Sequence, residues 1–138
     1  MIGRDAVLGA LTPETISRLD GWAVRALYAD WDLQARAAQK APEGDWRTWL
    51  ILGGRGGGKT RAGAQWVEAQ ARSTPVIALV GQSLHDVREV MIEGDSGLMR
   101  LPRLFGDRPS WEASRRRLKW TNGAVAQAFS AEDPEALR

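Results

Sequence analysis

The stretch that most constrains what this chain can fold into is the apolar run Trp49-Leu50-Ile51-Leu52 and the glycine-rich segment that follows it, Gly53-Gly54-Arg55-Gly56-Gly57-Gly58-Lys59-Thr60. The segment fits G-x-x-x-x-G-K-[ST], the pattern of a phosphate-binding loop, or P-loop. Its glycines let successive backbone N–H groups turn inward around phosphate oxygens without a Cβ in the way. A helix opening at its end adds about half a positive charge aimed at the same anion. In that arrangement Lys59 reaches the β- and γ-phosphates and the Thr60 hydroxyl ligates Mg²⁺. The apolar run predicts a short buried strand leading into the loop, with a helix from near Lys59 to about Arg72 on which Ala62, Trp66 and Ala69 share a face.

Length and composition narrow the classes that remain. A chain of 138 residues, 43% of them hydrophobic, is one domain's worth of polypeptide. It has no cysteine, which excludes disulfides and thiolate metal sites, and a single histidine, His85, which excludes a multi-histidine site. His85 reads as a polar residue on a helix surface. No apolar run approaches the ~18 residues of a membrane span, and the N-terminus lacks the basic-then-apolar pattern of a signal peptide. A cytoplasmic protein is therefore expected. The net charge is only +2, but Arg100, Arg103, Arg108, Arg115, Arg116, Arg117 and Lys119 fall within twenty residues, a local basic patch of the kind that faces nucleic acid or plain solvent.

In chain order, Thr12-Pro13-Glu14 is a helix start, with Thr12 as N-cap and Pro13 in the first helical position. Apolar residues then recur near the 3.6-residue period, predicting helix over about 13–38, with a possible break at Gly21. Residues 40–45 are a turn-rich connector. Trp46 and Arg47 follow, placed where they could stack against an adenine; Trp49 reads as core. Beyond the P-loop helix, Val76-Ile77-Ala78-Leu79-Val80 predicts a strand buried on both faces of a parallel sheet, completing a βαβ unit. Ser83 and Asp86 form a capping-box pattern ahead of a helix over about 84–93. Residues 94–97 read as a loop, 98–105 as a short helix interrupted by Pro102, and 106–109 as a turn.

Asn122-Gly123 signals a hairpin with a two-residue type I′ turn. That register sets Trp120 opposite Val125, Leu118 opposite Gln127 and Arg116 opposite Phe129. The other face then carries Arg117, Lys119 and Thr121 over Ala124, Ala126 and Ala128. Arg115, Arg116, Arg117 and Lys119 are DNA-binding candidates through phosphate contacts; a solubilising role at a sheet edge is the plainer reading. No apolar run ending in an acid supplies a convincing Walker B carboxylate.

Residues 46–64, 78–88, the Asn122-Gly123 hairpin and the ending Phe129-Ser130-Ala131-Glu132-Asp133-Pro134-Glu135-Ala136-Leu137-Arg138 together resemble the ATPase domain of phage and gene-transfer-agent terminase large subunits, over about residues 40–138. The resemblance implies an α/β fold: an incomplete RecA-like P-loop NTPase of the ASCE type, with a mostly parallel sheet, N-terminal helices over residues 1–40 and a C-terminal β-hairpin. It implies ATP and Mg²⁺ as cofactors, the nucleotide held by Gly53, Gly54, Arg55, Gly56, Gly57, Gly58, Lys59, Thr60 and Arg61. Arg55 is expected to follow the γ-phosphate. Arg138 matches the arginine of a Leu-Arg-Gly motif, proposed in the family as a finger reaching a neighbouring subunit's ATP. The implied partners are double-stranded DNA, a portal protein, a small terminase subunit and further copies in a ring. The implied place is the host cytoplasm, transiently at the procapsid portal.

The family's Walker B pair lies beyond Arg138, as do the coupling motif and the nuclease carboxylates. The expectation is thus an ATPase domain truncated over 41–138, without a nuclease domain, that binds ATP. Whether such a chain hydrolyses it is left open. Two alternatives stand beside this one: a non-catalytic remnant, and a fragment of another P-loop motor such as a helicase.

Overall fold

The computed structural model describes residues 3–103 and 108–138. The chain divides into two compact units, residues 1–49 with 102–105, and residues 50–101 with 106–138.

The first unit is a run of short helices: α1 (Arg4–Ala10), α2 (Pro13–Ser17), α3 (Gly21–Ala29) and α4 (Trp31–Gln34). The helix start at Thr12-Pro13 forms as the sequence indicates, the Thr12 hydroxyl accepting from the Thr15 N–H at 3.2 Å. The helical segment expected over 13–38 breaks ahead of Gly21, as the sequence allowed, and divides again at Asp30. Asp20 and Asp30 each adopt extended backbone, and each carboxylate accepts a backbone N–H three residues on, from Ala23 at 2.7 Å and from Leu33 at 3.1 Å. A short acidic side chain that satisfies the orphan N–H groups of a new first turn competes with continuing the old helix. The N-terminal residues, silent in the sequence, form α1, which Arg4 ties to α4 through Nε donating to the Leu33 carbonyl at 2.9 Å. Trp46 and Trp49 meet edge to face, 6.2 Å between centroids. Trp49 is only half-buried rather than core.

The second unit is α/β. Helix α5 (Lys59–Gln70) precedes β1 (Val76–Gly81). The turn α6 (Leu84–Asp86) continues into a π-helical segment, Val87–Ile92, and β2 (Ser110–Glu112), β3 (Arg117–Lys119) and β4 (Val125–Ser130) follow. The strands form one mixed sheet in the order β1-β4-β3-β2. Only β1 and β4 run parallel; β4 with β3 and β3 with β2 are antiparallel. The expected mostly parallel sheet is therefore corrected. Hairpin-type connections between β2, β3 and β4 are short enough to allow only antiparallel neighbours, whereas the long excursion over residues 82–124 brings β4 back alongside β1 in parallel.

The expected strand over 49–52 does not join the sheet. Leu50 and Leu52 are 73% and 82% exposed. An apolar run has strand propensity, but a strand exists only through a ladder partner, and none pairs with this run among the described residues. Strand β1 is likewise not buried on both faces. Ile77 and Leu79 face the core, while Val76 stands 65% exposed and Val80 43%.

One layer of helix covers one face of the sheet. Leu79, Ala126, Ala128 and Leu118 from the sheet pack with Ala64 and Val67 of α5 and its C-cap Ala71, Val87 and Ile92 of the π segment, and Leu98 and Leu101 beyond it. In α5 the buried residues are Ala62, Ala64 and Val67, with the C-cap Ala71 also buried and Trp66 half-buried; of the expected face, Ala62 is buried as expected and Ala69 is exposed. The hairpin register is also shifted by one residue from expectation. Leu118 pairs with Ala126, Arg117 with Gln127 and Lys119 with Val125. The cause is the turn. Trp120 N–H bonds the Ala124 carbonyl at 2.9 Å and Gly123 N–H bonds the Trp120 carbonyl at 3.0 Å, leaving a three-residue loop in which Gly123 alone has positive φ (+92°). A type I′ turn needs positive φ at both central residues. The odd loop puts Leu118, Trp120 and the alanines of β4 on the same, buried face.

The capping box at Ser83 forms, with the hydroxyl accepting from Asp86 N–H at 3.1 Å. The helix behind it is not a regular α-helix. Glu93 N–H reaches the Arg88 carbonyl five residues back, at 2.8 Å, and the extra residue per turn marks it as π. The expected short helix is a single 3₁₀ turn at Leu98–Arg100. Residues 104–107, where the rest of that helix and part of the 106–109 turn were expected, lie outside the described residues.

Candidate functional site

Two glycines shape the loop ahead of α5. Gly56 (φ +72°) and Gly58 (φ +80°) are both in the left-handed region, where a side chain is strained. Gly57 N–H closes a turn on the Gly54 carbonyl at 3.2 Å, and a Cβ on Gly57 would sit 3.0 Å from that same oxygen. Gly58 is the N-cap of α5 and brings no capping side chain. The first turn of the helix therefore opens toward the loop with backbone N–H groups and the positive end of its dipole, an arrangement suited to an anion. The Lys59 ammonium folds back across the loop and donates to the Gly53 and Gly54 carbonyls, both at 2.7 Å.

Residues 55–61 form one wall of a cavity of about 460 Å³. Seven of the nine nucleotide-binding candidates (Arg55, Gly56, Gly57, Gly58, Lys59, Thr60 and Arg61) line it; Gly53 and Gly54 do not. Arg61 is half-buried, and burial pushes its guanidinium below its ordinary value. The rest of the lining was not anticipated. Glu89 and Val90 come from the π segment, and Gly94, Asp95 and Ser96 from the loop after it. The sequence marked residues 94–97 only as a loop. The signal that could have found this wall is its pair of glycines. A Cβ at Gly94 would meet the Glu89 carbonyl oxygen at 2.6 Å, and one at Gly97 the Ile92 carbonyl oxygen at 2.6 Å. The loop is thereby pressed onto the end of the π segment. A second, apolar cavity of about 350 Å³ adjoins it beneath α5, lined by Trp66, Val67, Leu79, Met91 and Leu98 among others.

The remaining candidates lie apart from this cavity's lining. Trp46 and Arg47 belong to the first unit, where Trp46 Nε1 donates to the Pro42 carbonyl at 2.9 Å and Arg47 is exposed. Arg138 is exposed and pairs with Glu135 at 3.2 Å after a 3₁₀ turn, Pro134–Leu137. The segment leading to that turn is tied to the carboxyl end of β1 by Ala131 N–H to the Gly81 carbonyl, 2.8 Å, and by the Ser130 hydroxyl to the Gln82 carbonyl, 2.9 Å. Arg115, Arg116 and Lys119 are exposed; Arg116 holds a left-handed backbone (φ +52°). Arg117 instead pairs with Glu112 across the β2–β3 ladder, and that guanidinium holds the Glu112 carboxyl below its ordinary value. His85 is exposed, as read from the sequence.

Among the described residues no group of three or more His, Cys, Asp or Glu side chains could hold a metal unaided, and no helix is long and apolar enough to cross a membrane. A sequence profile of the family described as terminase large subunit, T4likevirus-type, N-terminal, matches residues 50–138, nearly two thirds of the chain. No curated protein and no solved structure matches.

Proposed function

The chain belongs to the N-terminal family of terminase large subunits, a family with a DNA-packaging role, and on that premise we propose that it is the ATP-binding portion of the motor that drives double-stranded DNA into a procapsid. The observation that carries this reading is the left-handed pair Gly56 and Gly58, which opens the N-terminus of α5 onto a cavity lined by Lys59 and Thr60. Backbone N–H groups and a helix dipole converging on one concavity favour a polyphosphate over any neutral ligand.

In this reading Lys59 leaves the Gly53 and Gly54 carbonyls for the β- and γ-phosphates, and Arg55 follows the γ-phosphate. Magnesium fits the donor set, because Mg²⁺ keeps several waters and relies on one or two protein groups plus phosphate oxygens rather than on an all-protein cage. Thr60 is the protein group that would hold it, and the ion would supply charge neutralisation at the phosphates. The wider assignment is a RecA-like P-loop fold over residues 41–138, with Arg138 as a finger toward a neighbouring copy. Arg115, Arg116 and Lys119 grip DNA phosphates; Arg117 contributes less, being paired with Glu112. DNA and packaging-complex partners in general follow from the family. A portal protein, a small subunit and a ring of like copies are the specific partners proposed.

The test is equilibrium binding of a fluorescent ATP analogue to the 138-residue chain with Mg²⁺ present. Wild type binds and Lys59→Ala loses at least tenfold in affinity, about the ~1.4 kcal/mol or more of a charge-assisted contact to phosphate. Absence of binding by the wild type, or equal binding by Lys59→Ala, refutes the proposal.

A further inference from the structure

The nucleotide reading leaves the second cavity, beneath α5, without a role. Its volume is about 350 Å³, and Trp66, Val67, Leu79, Met91 and Leu98 give it an apolar lining, with Lys59 and Thr60 from the first turn of α5 as its polar members. An ordered water needs roughly 2–4 polar partners, more than a lining of this kind provides. Gly63 holds the space open. Glycine in a helix interior costs stability relative to alanine, yet a Cβ at this position would meet nothing within 4 Å. Trp66 and Met91 suit an aromatic ring, one through its π system and the other through its polarizable sulfur. The Lys59 ammonium donates to the neutral Gly53 and Gly54 carbonyls, at 2.7 Å each, and to no carboxylate among the described residues.

From these features we infer that the apolar cavity is a second ligand site, for a compact aromatic anion: a bicyclic hydrocarbon body that carries a single acidic group. Size sets the body. An apolar cavity of about 150 Å³ holds one benzene ring, and ligand cavities run from roughly 300 Å³ upward, so a cavity of about 350 Å³ takes a bicyclic molecule. The rings cover Trp66, Leu79, Met91 and Leu98, and the gain follows the apolar area removed from water. Charge sets the head group. At the first turn of α5, Lys59 exchanges two neutral acceptors for an anion, and charge-assisted hydrogen bonds are roughly twice as strong as neutral ones. The two cavities share Lys59, Thr60 and Val90 but select different chemistry, a polyphosphate in one and an apolar body in the other. An aromatic anion seated beneath α5 therefore occupies the ammonium that the loop offers to phosphate.

The experiment is a ligand-observed NMR titration of the full chain, in nucleotide-free buffer, with naphthalene-1-sulfonate and, in parallel, the neutral naphthalene-1-methanol. Wild type binds the sulfonate saturably with a Kd of roughly 0.1–1 mM, and the alcohol about tenfold more weakly. Lys59→Met weakens the sulfonate about tenfold and leaves the alcohol unchanged. Gly63→Leu fills the open space and weakens both ligands at least about tenfold, while far-UV circular dichroism shows the chain still folded. Gly63→Met repeats that arm with a more adaptable side chain in case the leucine variant does not fold. A sulfonate that binds no more tightly than the alcohol overturns the inference. So does undiminished binding to a folded Gly63→Leu or Gly63→Met chain, since that marks adsorption elsewhere on the surface, and so does the absence of saturable binding up to the solubility of the sulfonate. No arm contains nucleotide, so a failure of ATP binding leaves this inference standing, and a failure here leaves the nucleotide reading intact.

Discussion

Replacing Gly97 by alanine places a Cβ 2.6 Å from the Ile92 carbonyl oxygen, 2.8 Å from its carbonyl carbon and 3.0 Å from the Gly94 oxygen. Ordinary contacts begin near 3.4 Å, so main chain has to move by close to an ångström. Ile92 is fully buried, which leaves it little room to yield. Gly97 has ordinary extended backbone, φ −81° and ψ 169°, so the alanine meets no torsional obstacle and the cost is steric alone. Overpacking of this kind costs about 1–3 kcal/mol. The loss of glycine's freedom in the unfolded chain returns about 0.4–1 kcal/mol, giving a net destabilisation of about 0.5–2 kcal/mol. Gly63 is the internal control. It lies within α5 and its Cβ would meet nothing within 4 Å, so Gly63→Ala should stabilise by about 0.5–1 kcal/mol. At about 2.1 cal/mol/K per residue the unfolding entropy is about 290 cal/mol/K for 138 residues, or ~3.5 °C per kcal/mol. The two alanine variants should thus melt about 4–10 °C apart, with wild type between them. Thermal melts and urea titrations followed by far-UV circular dichroism read this out. Shifts of the same sign, or a Gly97→Ala variant as stable as wild type, refute the claim that backbone contact fixes the loop.

Leu118→Ala, at a position with no exposed surface, should cost about 2–5 kcal/mol in urea unfolding; a loss under 1 kcal/mol contradicts the observed register. Asn122 bridges two elements, its amide donating to the Ala71 carbonyl at 2.8 Å and its oxygen accepting from Ala124 N–H at 3.0 Å. Asn122→Ala should cost about 1–3 kcal/mol by the same titration, since both backbone groups lose a partner. The Glu112 carboxyl is held below its ordinary value by Arg117. A lowered folded-state value means the stabilisation is present above the unfolded carboxylate value and is lost as pH falls through the folded one. Arg117→Gln should therefore flatten the acid limb of the stability profile and leave its neutral-to-basic part parallel to wild type, as measured by urea midpoints from pH 7 down to pH 3.

What could be read from sequence was what consecutive residues determine among themselves. The Thr12 and Ser83 caps and the β1 run are each local, and each appears where its residues lie. What failed depended on distant partners. Residues 49–52 have the composition of a strand, yet a ladder needs a neighbour, and composition does not say whether one is there. The register of the β3–β4 hairpin turned on a single φ angle at Asn122-Gly123, and Asn122 itself is engaged by Ala71, 51 residues away. Glu89 and Val90 of the π segment line the cavity, and nothing in their sequence pattern had assigned either a role there.

Among the described residues strand β1 carries β4 on one side only, and its sequence, Val76-Ile77-Ala78-Leu79-Val80, holds no charge and no proline. The consequence lies in colloid behaviour. An uncharged edge of this composition is a template for cross-β growth, so the monomer should be a species of dilute solution. The soluble fraction should fall with protein concentration before it falls with temperature, and a lysine at Val76, already 65% exposed, should raise the ceiling without touching the core.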